Sequence, residues 1–154
     1  MAGAITVDVS FEERYWYPDD GGQVWLAGYT PVDDDGRYLG RDDPVLAARG
    51  LRIASVAGAA RHHGAALESA ALGSPLALRR DPGNEHDPNA IQVLAGDEQI
   101  GWVPRDLAAE LARELDAGRT WSAVALREQR ASPRDPRTGL TMLLAPDSAI
   151  ELRA

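Results

Sequence analysis

A chain of 154 residues is long enough for one compact domain, or for one domain with a sizeable extension. It contains no cysteine, which excludes disulfides, thiolate chemistry and zinc sites of cysteine type. Its formal charge of −8, from 24 acidic and 16 basic residues, argues against indiscriminate nucleic-acid binding, which rests on a basic surface.

The charge is unevenly placed. Residues 1–49 hold 10 acidic and 4 basic side chains, whereas residues 50–154 hold 14 and 12. This divides the chain into an acidic N-terminal segment and a nearly balanced remainder. No apolar run reaches membrane-spanning length and the start lacks a basic, apolar secretory signal. The expectation is a cytoplasmic protein with no membrane partner.

In chain order, Ile5, Val7, Val9 and Phe11 alternate with Thr6, Asp8 and Ser10, the period of a half-buried strand over Ala4 to Phe11. Pro18 to Gly22 reads as a turn, Gln23 to Tyr29 as a second strand, and Asp33 to Gly36 as another turn. The first 49 residues are therefore expected to form a β extension rather than a tail. Tyr15, Trp16, Tyr17 and Trp25 are too many aromatics for a disordered segment. Leu51 to Val56 is a strand, Ala57 to His63 a turn of small and polar residues, and Ala65 to Ala71 a short helix.

Strands follow at Leu76 to Leu78, Ala90 to Leu94 and Gln99 to Val103. Between the first two lies a loop crowded with turn formers, Asp81-Pro82-Gly83-Asn84-Glu85-His86-Asp87-Pro88-Asn89. Leu107, Ala108, Leu111, Ala112 and Leu115 recur at helical spacing, with Glu110, Arg113 and Glu114 on the outer face and Gly118 beyond the end. This predicts a helix from Arg105 to Ala117. Trp121 to Arg127 and Leu140 to Leu144 are strands joined by an arginine-rich loop, and Ala149 to Arg153 closes the chain. The fold class is mainly β with one principal helix, an α+β chain.

The run from Leu76 to Arg105, with its Asp81–Asn89 loop, the Gly96-Asp97 turn and the Gly101-Trp102-Val103-Pro104-Arg105 close, resembles the HIRAN domain. The resemblance covers about residues 50–153. It implies a small β-barrel of the OB/SH3-like kind, found in DNA translocases and in stand-alone bacterial proteins, which grips the 3′ end of single-stranded DNA. Residues 50–154 would then be the HIRAN-like domain and residues 1–49 its extension.

The resemblance also implies roles. The aspartate matching Asp87 accepts a hydrogen bond from the terminal 3′-hydroxyl, and the asparagine matching Asn84 helps hold the end. A carboxylate accepts from a hydroxyl and repels a phosphate, so a strand that continues is refused. His86 stands where relatives carry a base-stacking aromatic, and Arg61 and His62 where they carry two tyrosines. A guanidinium plane or an imidazole can also stack on a base. Trp102 reads either as a wall of the barrel or as a ring beside the strand. Arg105, opening a helix, is placed for a phosphate. Asp81 and Asn89 also suit simple turn-holding.

No phosphate loop, serine elbow or paired acid–base constellation is present in the sequence. The adjacent His62-His63 pair points different ways in an extended segment, so no metal or cofactor is expected. The sequence thus predicts a non-enzymatic module for single-stranded DNA or DNA ends, serving repair, replication restart or defence. The alternative is a protein-interaction module that docks a partner through the N-terminal region. A third is a metal-dependent nuclease or hydrolase using Asp81, His86 and Asp87.

Overall fold

A computed structural model describes residues 3–17 and 22–154; the turn expected at Pro18 to Gly22 lies, apart from Gly22, outside the described residues. The elements are β1 (Ala4–Trp16), β2 (Val24–Pro31), α1 (Pro44–Ala48), β3 (Arg52–Ser55), α2 (Ala59–His62), α3 (Gly64–Ser69), β4 (Pro75–Arg80), β5 (Ile91–Ala95), β6 (Glu98–Trp102), α4 (Arg105–Asp116), β7 (Trp121–Arg130), β8 (Arg137–Pro146) and β9 (Ala149–Arg153). No helix among the described residues is long and apolar enough to cross a membrane.

The antiparallel pair β7–β8 is the central wall. Its run of apolar residues is buried on both faces, as strands covered from two sides must be. Ala123 and Ala125 of β7, with Leu140, Met142 and Leu144 of β8, join a core completed by Leu67, Ile91, Ile100 and Leu111. Val124, Leu126 and Leu143 face the other way, into a core completed by Val7, Val9, Leu39, Leu46 and Ile53. The N-terminal strands are thus bound into the sheet. β1 pairs antiparallel with β2 and parallel with β9, and β2 pairs with the far half of β7.

Along its other half the same edge of β7 carries β4, which continues through β5 to β6, while β8 carries β3. The ladders leave the sheet open rather than closing it into the barrel that the resemblance implies. Between the end of β3 and β6 there is one isolated bridge, Ala57 with Trp102.

α4 lies where the period placed it. Leu107 and Leu111 are buried, Leu115 packs against the same core, and Glu110 is exposed. Glu114 is half-buried and pairs with Arg119 beyond the helix end. Two short elements differ from the sequence reading. The turn expected at Ala57 to His63 coils into α2, and α1 was not foreseen. α1 is set by Asp43, whose carboxylate accepts from the Val45 N–H at 2.9 Å, and by Pro44 at the first helical position. Asp43→Ala is expected to lower stability by about 1 kcal/mol, read in a urea melt.

Candidate functional site

The Asp81–Asn89 loop is fastened before it is functional. Asp81 N–H donates to the Ala90 carbonyl at 2.9 Å, which closes the loop base. Arg80 Nη1 donates to that carbonyl at 2.9 Å, while its Nε reaches Asp116 of α4 at 2.9 Å. This brace ties the loop base to the helix. Nothing in the sequence pattern signals it, because the pair is separated by 36 residues.

Within the loop, Asn84 Oδ1 accepts from the N–H groups of His86 and Asp87 at 2.9 and 3.0 Å. Its amide donates to Asp81 Oδ2 at 3.2 Å. Asn84 is therefore spent on shaping the turn, the work that the sequence reading gave to Asp81 and Asn89. Asp87 Oδ1 accepts from the Asn89 N–H at 2.9 Å. Asp87 Oδ2 faces Arg105 Nε at 4.0 Å, beyond hydrogen-bond reach. That oxygen keeps its accepting capacity. The Asp87 side chain is 19% exposed and that of Arg105 78%, so the carboxylate lies below a cation at the surface.

The opposite wall comes from β6. Gly101 allows the close approach: a Cβ there would meet Val56 Cγ1 at 2.5 Å and the Ala57 carbonyl oxygen at 2.6 Å. The bridge that results joins Ala57 N–H to the Trp102 carbonyl at 2.8 Å and Trp102 N–H to the Ala57 carbonyl at 2.9 Å. It fixes Trp102 at the end of the strand, and Pro104 then starts α4 with Arg105 in its first turn.

Asn84, His86, Asp87, Trp102 and Arg105 line one groove of about 280 Å³, together with Ala57, Ala90 and Val103. Five of the seven predicted site residues are thus brought together from two stretches, 84–87 and 102–105. The other two, Arg61 and His62, are exposed on α2 and do not line it. His62 is nonetheless near: a Cβ on Gly58 would stand 3.4 Å from Trp102 Cδ1 and 4.0 Å from His62 Cδ2. The wall facing the loop is formed by Ala57 and Trp102. The small apolar residues Ala57, Ala90 and Val103 gave no sequence signal for a site.

The surrounding cations are divided. Arg79 donates to Gln92 at 2.8 Å, and Arg80 is neutralised by Asp116. Among the described residues, no group of three or more His, Asp and Glu side chains is placed to hold a metal ion.

Comparison with known proteins places residues 51–143 within the family model described as the HIRAN domain. Among solved structures, the chain is similar to the HIRAN domain of human HLTF, with 27% identity and a TM-score of 0.48 over 62% of this chain and 74% of that one. It is also similar to a protein from Lactobacillus plantarum, with 19% identity and a TM-score of 0.45 over 60% of this chain and 91% of that one. No curated protein matches the sequence.

Proposed function

Because the chain belongs to the HIRAN domain family, whose modules bind DNA, we propose that its groove holds single-stranded DNA by a free 3′ end. The observation that carries the reading is the convergence of Asn84, His86, Asp87, Trp102 and Arg105 on one groove. Asp87 Oδ2 supplies an acceptor for the terminal hydroxyl, and a phosphate at that place meets a sheltered carboxylate. His86 and Trp102 offer rings on which the last bases stack, each contributing about 1–3 kcal/mol. Arg105, standing clear of the surface, takes the phosphate before the end.

Asn84 supports the end indirectly, by holding the Asp87 backbone in place. His62 lies near the groove and Arg61 precedes it on α2, so both would meet the strand further along. The module works without catalysis in this proposal, in repair, replication restart or defence. Its binding domain spans residues 50–154, with residues 1–49 as a β extension.

A second reading, docking of a protein partner through the N-terminal region, is favoured by exposed aromatics on and next to β1. Phe11 is 48% exposed, Trp16 47% and Tyr17 69%. The two readings separate on Arg105. Arg105→Ala is expected to weaken single strands of every sequence alike, and to flatten the salt dependence of binding by about one unit of slope. Titrations of wild type and variant at several salt concentrations measure both. An unchanged slope removes Arg105 from the interface.

A further inference from the structure

A second cavity, of about 400 Å³, lies where β1, β2 and β7 meet the segment from Tyr38 to Arg41. Three arginines line it, Arg14, Arg41 and Arg127, against a single carboxylate, Glu12. Glu12 is already shared: it pairs with Arg14 at 3.4 Å and accepts from the Tyr38 hydroxyl at 3.4 Å. Among the described residues, Arg41 and Arg127 have no carboxylate within 4.0 Å.

Arg127 is the informative member. It is half-buried and donates to the Tyr29 carbonyl at 3.3 Å. A guanidinium withdrawn from water without a counter-charge is costly, and a structural role would come with an acid. Glu128, Arg130 and Arg137 show how this chain pairs an arginine that serves structure alone. Burial, with Arg41 and Arg14 nearby, holds the Arg127 pKa below the usual guanidinium value, and Glu12 only partly offsets this.

The backbone makes room for the group. The β7–β8 register shifts between Ala125 and Arg127, so Leu126 enters the core while Arg127 lines the cavity beside its partner Thr141. Bulges that re-aim one side chain are characteristic of working sites. Opposite Arg127 on β2 stands Gly28, where any Cβ would collide with the Arg127 backbone. Flat rings complete the rim, Trp16 at 47% and Tyr38 at 56% exposure.

Two guanidiniums with no carboxylate partner among the described residues, Arg41 donating only to the Ser55 hydroxyl at 3.4 Å, stand in a recess with aromatic rims and match a phosphate carried next to a base. We propose that this cavity binds the phosphate of a nucleotide unit, free or within a strand, with the base stacking on Trp16 or Tyr38. The assignment goes beyond 3′-end recognition and does not depend on it.

The test uses the full chain and three probes that lack a 3′-hydroxyl: 2′,3′-dideoxyadenosine 5′-monophosphate, 2′,3′-dideoxyadenosine, and a short oligothymidylate phosphorylated at its 3′ end. The monophosphate is expected to bind at least about tenfold tighter than the nucleoside. Arg41→Gln and Arg127→Gln should each weaken it by about tenfold. Arg41 is exposed, so Arg41→Gln keeps the test valid if Arg127→Gln does not fold. Binding of the oligonucleotide alone, with the same sensitivity to Arg41→Gln, assigns the cavity to a strand phosphate. Binding of the monophosphate assigns it to a free nucleotide as well. No binding of either phosphate probe, or binding indifferent to Arg41→Gln, overturns the proposal. Loss of end preference in Asp87→Ala bears on the other groove only.

Discussion

Glu128→Ala is expected to destabilise the protein by about 3–5 kcal/mol, because it leaves buried arginine charge without its partner. Glu128 is 8% exposed and Arg137 9%. Arg130 reaches the two Glu128 oxygens at 2.9 and 3.1 Å, and Arg137 Nε donates to Oε2. Arg137 Nη1 also closes onto the carbonyls of Leu67 and Ala70 at 2.8 and 2.5 Å, which anchors the end of α3 to the sheet. A chain of this size should lose roughly 6–20 °C in melting temperature, with the urea midpoint falling and the slope unchanged.

The same cluster sets an acid limit. Burial raises the Glu128 pKa, but hydrogen bonds from Arg130 and Arg137 outweigh it and leave the value below the usual 4.5. The Arg137 N–H acts on Glu68 in the same direction, again against desolvation. A carboxyl whose folded value lies below its unfolded one contributes stability above the unfolded value. That contribution fades as the pH falls through 4.5 and is lost once the folded value is passed. Wild type should therefore melt progressively earlier below this point, whereas Glu128→Ala should show a shallower acid slope.

Asp87→Ala is expected to weaken binding to a strand with a free 3′-hydroxyl by roughly ten- to a hundredfold, the worth of a charge-assisted hydrogen bond of about 1.5–3 kcal/mol. Binding to an internal or 3′-phosphorylated strand should change far less, because the lost bond belongs to the end. The fold should tolerate the change. Asp87 accepts one backbone hydrogen bond, from Asn89, while the loop is held mainly by Asn84 and by the Arg80 brace. Equal melting temperatures for Asp87→Ala and wild type, together with a lost end preference, separate recognition from folding. Equal weakening of all strands would instead make Asp87 a general support of the groove.

The parts of the fold legible in the sequence are those whose signal is local. α4 announces itself through Leu107, Leu111 and Leu115 at helical spacing, and the Asp81–Asn89 loop through its density of turn formers. α2 escapes because a helix of four residues is too short for periodicity to register. α1 carries a signal, the Asp43-Pro44 pair, but five residues are too few for an apolar period to show beside it. The parallel pairing of β9 with β1 joins the two ends of the chain and leaves no local trace.

The site divides in the same way. Asn84 and Asp87 are picked out by the resemblance to the HIRAN domain, and Arg105 by its place at a helix start. Their division of labour depends on distances of tenths of an ångström within the loop. The Arg127 cavity needs a bulge, a glycine on a neighbouring strand and two arginines far apart in sequence. Only the folded chain brings these together.

Fluorescence-anisotropy titration of the wild-type protein with one short single strand, prepared with a free and with a phosphorylated 3′ end, tests end recognition most directly. Measured at low and moderate salt, the free end should bind at least about tenfold tighter at both, because the hydroxyl bond is screened less than the phosphate contacts. Equal affinity for the two ends, or none above nonspecific background, would contradict end recognition by the Asp87 groove.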